Sequence, residues 1–183
     1  MIRLVRADHR RIGELLARLG RRYRPAAALR SRTAAELAAH SDASHACLLP
    51  LAQSRLDTVD PGWLDSLHAV SSVAADLEQA GDPVPETLLS KVVAALEEHV
   101  KVEENQVLAP LEGSALVPRL RRAGEAFQRR RDSAIKEHGG SPNRYQRPAA
   151  SRAELYERAR RLGVSGRSTM TREQLNAALR EKP

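Results

Sequence analysis

Six histidines stand in this chain, at positions 9, 40, 45, 68, 99 and 138, and four of them fall on a lattice. His9 and His40 are 31 residues apart, His68 and His99 are also 31 apart, and the second pair repeats the first at a displacement of 59. The segment around the last member, Leu96-Glu97-Glu98-His99-Val100-Lys101-Val102-Glu103-Glu104, adds a carboxylate four residues after the imidazole. On a helix that spacing sets His99 and Glu103 on one face, about one turn apart. Imidazole nitrogens and carboxylate oxygens projecting inward from several helices are the ligands that bundle proteins offer to first-row divalent metals. The lattice therefore points to a metal site built from His9, His40, His68, His99 and Glu103. A packed core with four hydrogen-bonded histidines and no metal is the competing account of the same spacing.

The lattice requires elements that hold it, and the apolar pattern supplies them. Leu4, Val5, Ile12, Leu15, Leu16 and Leu19 recur on one helical stripe that Gly20 closes, with His9 inside it. Residues 21–30 read as a basic connection, and Ser31 or Thr33 as the cap of a second helix reaching about Leu49, just before Pro50. Asp60-Pro61 opens a third helix running to about Ala80, with Trp63, Leu64, Leu67, His68, Val73 and Leu77. A fourth starts near Pro85 and runs to Pro110 through Leu88, Leu89, Val92, Val93, Leu96, Val100 and Val107. There is no strand signal. Two helical hairpins repeated in tandem predict an all-α fold, an antiparallel four-helix bundle over residues 1–112 with one histidine per helix at one level.

Composition bounds the rest. A chain of 183 residues, 42% hydrophobic and 29% charged, can bury one core and a small appendage. No apolar run reaches the roughly 18 residues of a membrane span, and Met1 to Arg6 lacks a signal-peptide core, so no membrane association and a cytoplasmic location are expected. The lone Cys47, among Ala46 and Leu48-Leu49, reads as a small core residue and excludes an intramolecular disulfide framework. Charge is unevenly divided. Residues 1–114 hold 13 Lys and Arg against 16 Asp and Glu, a net of −3, and residues 115–183 hold 17 against 7, a net of +10. A polyanionic partner for the last third follows.

Asp8-His9, His40 before Leu48-Leu49-Pro50, His68, and His99-x-x-x-Glu103-Glu104 before Leu108-Ala109-Pro110 resemble the hemerythrin-like, HHE cation-binding domain over about residues 1–112. The resemblance implies a four-helix bundle holding non-haem iron, one or two ions, that binds oxygen or nitric oxide, handles peroxide or senses iron and redox state. His9, His40, His68 and His99 match its ligand positions and Glu103 its fourth-helix bridging carboxylate. Two positions depart: Ser44 stands where a carboxylate is expected four residues after His40, and Ser72 where a ligand often follows His68. Glu36, one turn before His40, and Glu104 are the auxiliary carboxylates. His45, about 100° around the helix from Ser44, is a rim auxiliary.

Beyond the bundle, Leu116, Leu120, Ala123, Phe127 and Ala134 recur at helical spacing while Arg119, Arg121, Arg122, Arg129, Arg130 and Arg131 take the remaining surface, giving a basic amphipathic helix over 113–138. His138 falls off the lattice at its end. Residues 139–150, with Gly139-Gly140 and Pro142 and Pro148, read as a flexible linker. In 151–183, Ser151-Arg152-Ala153-Glu154 and Thr171-Arg172-Glu173-Gln174 are capping boxes opening two helices, and Leu155, Ala159, Leu162, Val164, Met170, Leu175 and Leu179 form a mini-core. This run, with its Leu162-Gly163-Val164-Ser165-Gly166-Arg167-Ser168 loop, resembles the SAP-like helix-extended-loop-helix module also found at the N-terminus of transcription terminator Rho. The resemblance implies nucleic-acid binding, through Arg152, Arg158, Arg160, Arg161, Arg167 and Arg172. Two functions are thus in view: an iron-binding sensor or handler of oxygen, peroxide or nitric oxide tethered to nucleic acid, or a metal-free degenerate bundle acting as a structural nucleoid-associated or protein-docking module.

Overall fold

The structure is a computed structural model that describes residues 1–21, 27–56, 58–112, 117–138 and 152–180, with backbone alone described at 117, 118, 152–154, 158, 172, 176 and 180. Every regular element among them is helical. In order they are α1 (Ile2–Gly20), α2 (Ala27–Ala43), a π-helical turn π1 (Ser44–Leu48), α3 (Leu49–Gln53), α4 (Pro61–Gln79), α5 (Glu86–Val102), a second π-helical turn π2 (Glu103–Leu108), α6 (Ala109–Glu112), α7 (Val117–Glu137), α8 (Arg152–Arg161) and α9 (Arg172–Arg180). The chain divides into two compact units, Met1–Pro142 and Asn143–Pro183. Among the described residues no helix is long and apolar enough to cross a membrane.

The displacement of 59 seen in the histidines is also that of the helices. α1 and α4 are both 19 residues long, α2 and α5 both 17, and α4, α5 and π2 each start 59 residues after α1, α2 and π1. A π turn inserts one residue into the helical register and re-aims the side chains beyond it, and here both follow a histidine by four residues, at Ser44 and at Glu103. The second helix starts at Ala27, earlier than its sequence suggested, and Thr33 lies inside it with its hydroxyl donating to Leu29 O at 2.7 Å. Side chains that bond back into the helix in this way do not cap it. Asp60 does cap α4, accepting from Gly62 N at 2.7 Å with Pro61 at the first helical position, an arrangement contributing about 1 kcal/mol.

In the first unit α2 packs against α1, α4 and α7, and α5 packs against α4 and α1. The buried side chains form two apolar clusters. One joins Val5, Ala43, Leu48, Trp63, Leu67, Val102, Leu108 and Phe127, and the other joins Ile12, Leu16, Leu37, Val70, Leu77, Val92 and Leu96. Along α1, α2 and α5 the histidines fall between members of the two, His9 between Val5 and Ile12, His40 between Leu37 and Ala43, His99 between Leu96 and Val102. A polar layer is therefore held between two apolar ones.

α7 departs from a helix that is basic all over its outer surface. Arg119, Arg121, Arg122, Arg129 and Arg130 are exposed, but Arg131 is only 1% exposed, on the inner stripe with Phe127, Ala134 and Ile135. These positions recur at i, i+4, i+7 and i+8, so one arginine enters the core with the apolar face. Cys47 is half-buried against the first cluster, and burial pushes its thiol up.

The second unit closes on Leu155, Ala159, Val164, Leu175 and Leu179. Gly163 (φ 63°) and Gly166 (φ 72°) supply left-handed backbone that a side-chain-bearing residue would adopt only with strain. Thr171 caps α9 reciprocally, Gln174 N donating to Thr171 Oγ1 at 3.3 Å and Thr171 N to Gln174 Oε1 at 2.8 Å. Leu162, expected in this core, is 39% exposed, because Gly163 turns the chain away immediately after it. The linker over 139–150 and the first capping residue, Ser151, lie outside the described residues.

Candidate metal centre

His9, His40, His99 and Glu103 meet in the core of the first unit, between 0 and 5% exposed, with one ligand atom of each within 4.8 Å of all the others. These four lie close enough to bind a metal ion. Glu103 Oε2 is 2.9 Å from His9 Nε2 and 3.6 Å from both His40 Nε2 and His99 Nε2, and the last two nitrogens are 3.1 Å apart. Around an ion bound at about 2.1 Å, adjacent donors stand about 3.0 Å apart in octahedral and about 3.4 Å apart in tetrahedral coordination, so these spacings suit a single ion.

Each imidazole is held from behind at Nδ1. His40 Nδ1 faces Asp8 Oδ2 at 3.2 Å and His9 Nδ1 faces Glu104 Oε1 at 2.9 Å. Ser66 Oγ donates to Trp63 O at 2.7 Å and so accepts from His99 Nδ1 at 3.0 Å. Two carboxylates and a hydroxyl oxygen thus take the Nδ1 protons and leave all three Nε2 atoms turned to the centre, the outer support that metal-ligating histidines characteristically have. Glu103 is oriented the same way, its Oε1 accepting from Trp63 Nε1 at 3.2 Å while Oε2 faces the imidazoles.

The electrostatics follow from burial without water. Burial would raise the Glu103 pKa, but the surrounding imidazoles of His40, His9 and His99 outweigh it and hold the carboxyl well below its ordinary range. Burial likewise opposes charge on His40, yet hydrogen bonds to Asp8 and Glu103 raise it to about 9. His99, whose Nδ1 faces a neutral hydroxyl, is lowered by burial. Behind His40, Arg131 Nε bonds both oxygens of Asp8 (2.7 and 2.8 Å) and its Nη2 bonds Glu36, while Arg11 bonds the same two carboxylates.

Of the residues the sequence singled out, His68 does not reach the centre. It is exposed, as are Ser72, His45 and His138, because α4 turns Trp63, Ser66, Leu67, Val70, Ala74 and Leu77 inward. His68 lies about 100° past Leu67, which is itself at the edge of that stripe, and so falls on the outer face. Trp63 and Ser66 contact the site from α4 instead, through Glu103 and His99. The stripe Trp63, Leu67, Val70, Ala74, Leu77 was visible in the sequence as an unbroken i+4, i+3 run, which is the signal that orients α4. Glu36 is buried but spends Oε2 on the arginines, and Glu104 supports His9 from the rim, with Arg6 Nε 3.6 Å from its other oxygen. Asp8 belongs to the Asp8-His9 pair of the motif, but its partner is His40 on α2, which no local spacing indicates. Ser44, at the vacant carboxylate position, is fully buried and its hydroxyl finds no partner among the described residues.

In the second unit Arg160 and Arg161 are exposed, Arg160 with its guanidinium 3.0 Å from Glu157. Arg167 is half-buried, its Nη1 donating to Val164 O at 3.0 Å and its guanidinium lying 5.8 Å from the Tyr156 ring centre. The side chains of Arg152, Arg158 and Arg172 lie outside the described residues. The chain matches no protein-family model, no curated protein and no solved structure.

Proposed function

We propose that the first unit is a hemerythrin-like, antiparallel helical bundle holding one non-haem iron through His9, His40, His99 and Glu103, and that it serves as a sensor or handler of oxygen, peroxide, nitric oxide or iron itself. The observation that carries this reading is the set of three Nε2 atoms turned to one carboxylate oxygen, each imidazole backed at Nδ1 by Glu104, Asp8 or Ser66. Backing of every imidazole at Nδ1 with Nε2 turned to a common point is the outer support that metal-ligating histidines characteristically have. One ion is favoured over two because each half of the repeat lacks one ligand, the first its carboxylate, Ser44 being a hydroxyl, and the second one histidine, His68 being exposed. Iron is chosen on the hemerythrin resemblance; three imidazoles and a carboxylate suit zinc as well. Bound there, ferrous iron would supply reversible one-electron chemistry and an affinity for small diatomic or peroxide ligands. The chain's own part is to keep the site dry between two apolar clusters, hold the imidazoles in one tautomer and set Glu103 as the anionic donor.

The basic second unit, in this reading, tethers the centre to nucleic acid, with Arg160 and Arg161 as described surface cations; the support is its charge and its resemblance to SAP-like modules. Anaerobic reconstitution with ferrous iron followed by elemental analysis tests the metal assignment. About one iron per chain is expected. No bound metal would leave the degenerate, metal-free bundle as the better account, with the His40 Nε2 to His99 Nε2 hydrogen bond completing its polar layer.

A further inference from the structure

The guanidinium of Arg131 enters the core from α7, 1% exposed, on a helix whose other described arginines face solvent. A buried cation has to be paired, and its fork is suited to two carboxylates at once. Here Nε lies 2.7 and 2.8 Å from the oxygens of Asp8, and Nη2 bonds Glu36. The same Asp8 accepts from Nδ1 of His40 at 3.2 Å, so a single side chain links the Arg131 guanidinium to the His40 ring. Phe127, one turn earlier, sets its ring against the edge of that imidazole, with centroids 6.1 Å apart and planes at 71°. His40 is therefore fixed from two sides by a helix that contributes no ligand.

We infer that Arg131 is a positioning residue of the centre: it fixes the Asp8 carboxylate that keeps His40 Nε2 turned inward, so that metal binding and the docking of α7 are coupled. The inference rests on the metal reading above. Neutralising Asp8 is not by itself the task of Arg131, because Arg11 also bonds Asp8, at 2.8 Å, and Glu36. What Arg11 cannot do from α1 is tie these carboxylates to α7. Coupling is reciprocal: if α7 tightens the site, metal must tighten α7.

The test uses the full chain titrated with Co²⁺, followed by visible absorption, in the wild type, Arg131→Lys, Arg131→Met, Asp8→Asn and the double variant Asp8→Asn/Arg131→Met. Losing an outer-shell partner of a ligand weakens metal binding about 10–100-fold, which is the loss expected for Arg131→Met, with Arg131→Lys between it and the wild type. Because both residues act through one hydrogen bond, the double variant should bind no more weakly than the weaker single. Hydrogen exchange completes the prediction: Co²⁺ should slow the amides of 117–137 in the wild type and leave them unchanged in Arg131→Met. Folded Arg131→Met with wild-type Co²⁺ affinity and spectrum, additive losses, or α7 amides indifferent to Co²⁺ would each overturn the inference. Should Arg131→Met fail to fold, wild-type affinity in Arg131→Lys overturns it equally. Wild-type protein that binds no Co²⁺ would defeat the metal reading and this inference together, whereas tight wild-type binding unaffected by the variants defeats this inference alone.

Discussion

The three imidazoles of the centre are chemically unequal, and the inequality sets the behaviour of the metal-free protein. Glu103 is held ionised and His99 neutral, so the compensating proton resides on His40, raised to about 9 by its bonds to Asp8 and Glu103 despite burial. The folded pKa lies above the ordinary histidine value of 6.5, so the stability it contributes is fully present below about pH 6.5 and is lost as pH rises through about 9. The full linkage is on the order of 3 kcal/mol. Urea unfolding of the metal-free protein should therefore show a midpoint falling from pH 6.5 to 9.5, and His40→Gln should flatten that fall. Metal binding runs the other way, since the ion must displace the His40 proton, and apparent affinity should rise by up to tenfold per pH unit between about pH 7 and 9. An affinity that is flat with pH across that range, measured by competition with a chelator whose own protonation is corrected for, would exclude His40 as a ligand.

Among the elements, α4 decides how many ions the unit can hold. Its boundaries repeat those of α1, yet its buried face is turned so that Trp63 and Ser66, and not His68, look toward the centre. His68→Ala and His138→Ala should leave metal content unchanged while His99→Ala abolishes it, by elemental analysis of protein reconstituted in parallel. Ser44→Glu restores the carboxylate of the first hairpin, but with His68 outside there is no second histidine for another ion to use. The iron-to-protein ratio of that variant should stay near one, and a rise toward two would show that α4 can rotate to bring His68 in. The metal-free form of the same variant should lose about 1–3 kcal/mol, the cost of a buried carboxylate with no assured partner.

At the scale of the whole molecule, charge is unevenly divided. The net of +10 lies after residue 114, partly on the outer face of α7 and partly on a second unit with its own small core. Fluorescence anisotropy with labelled DNA and RNA should give binding by the full chain that falls with salt at a log–log slope of about −3 to −4, for three to five neutralised phosphates. Truncation to residues 1–142 should remove most of it. Undiminished binding by the truncated chain would move the interface to Arg119, Arg121, Arg122, Arg129 and Arg130 on α7. Arg167→Ala should act mainly on the stability of the second unit, because its guanidinium is engaged with Val164 O and the Tyr156 ring. A thermal transition of the second unit unchanged by Arg167→Ala would count against that assignment.

The sequence by itself determined the helices and their repeat. Apolar periodicity, the Asp60-Pro61 start and the interval of 59 are local or translational features, and they placed α1, α4 and the start of α5 to within a residue or two, while the π turn that ends α5 at Val102 left no local mark. It also placed three of four histidines, since His9, His40 and His99 lie within or beside the apolar stripes of their helices. The rotation of α4 was decided by packing: burying Trp63 and Leu67 outweighs burying an imidazole, and a shift of one residue about the helix axis moves a side chain by about 100°. The outer partners were decided there too. Asp8, Ser66 and Arg131 lie 32, 33 and 91 residues from the histidines they support, directly or through Asp8, and no local pattern marks a hydrogen bond between helices. Helical periodicity puts Arg131 on the apolar stripe of α7, but that a guanidinium stays buried there depends on two carboxylates waiting in the core, and only the folded chain brings Asp8 and Glu36 together beneath it.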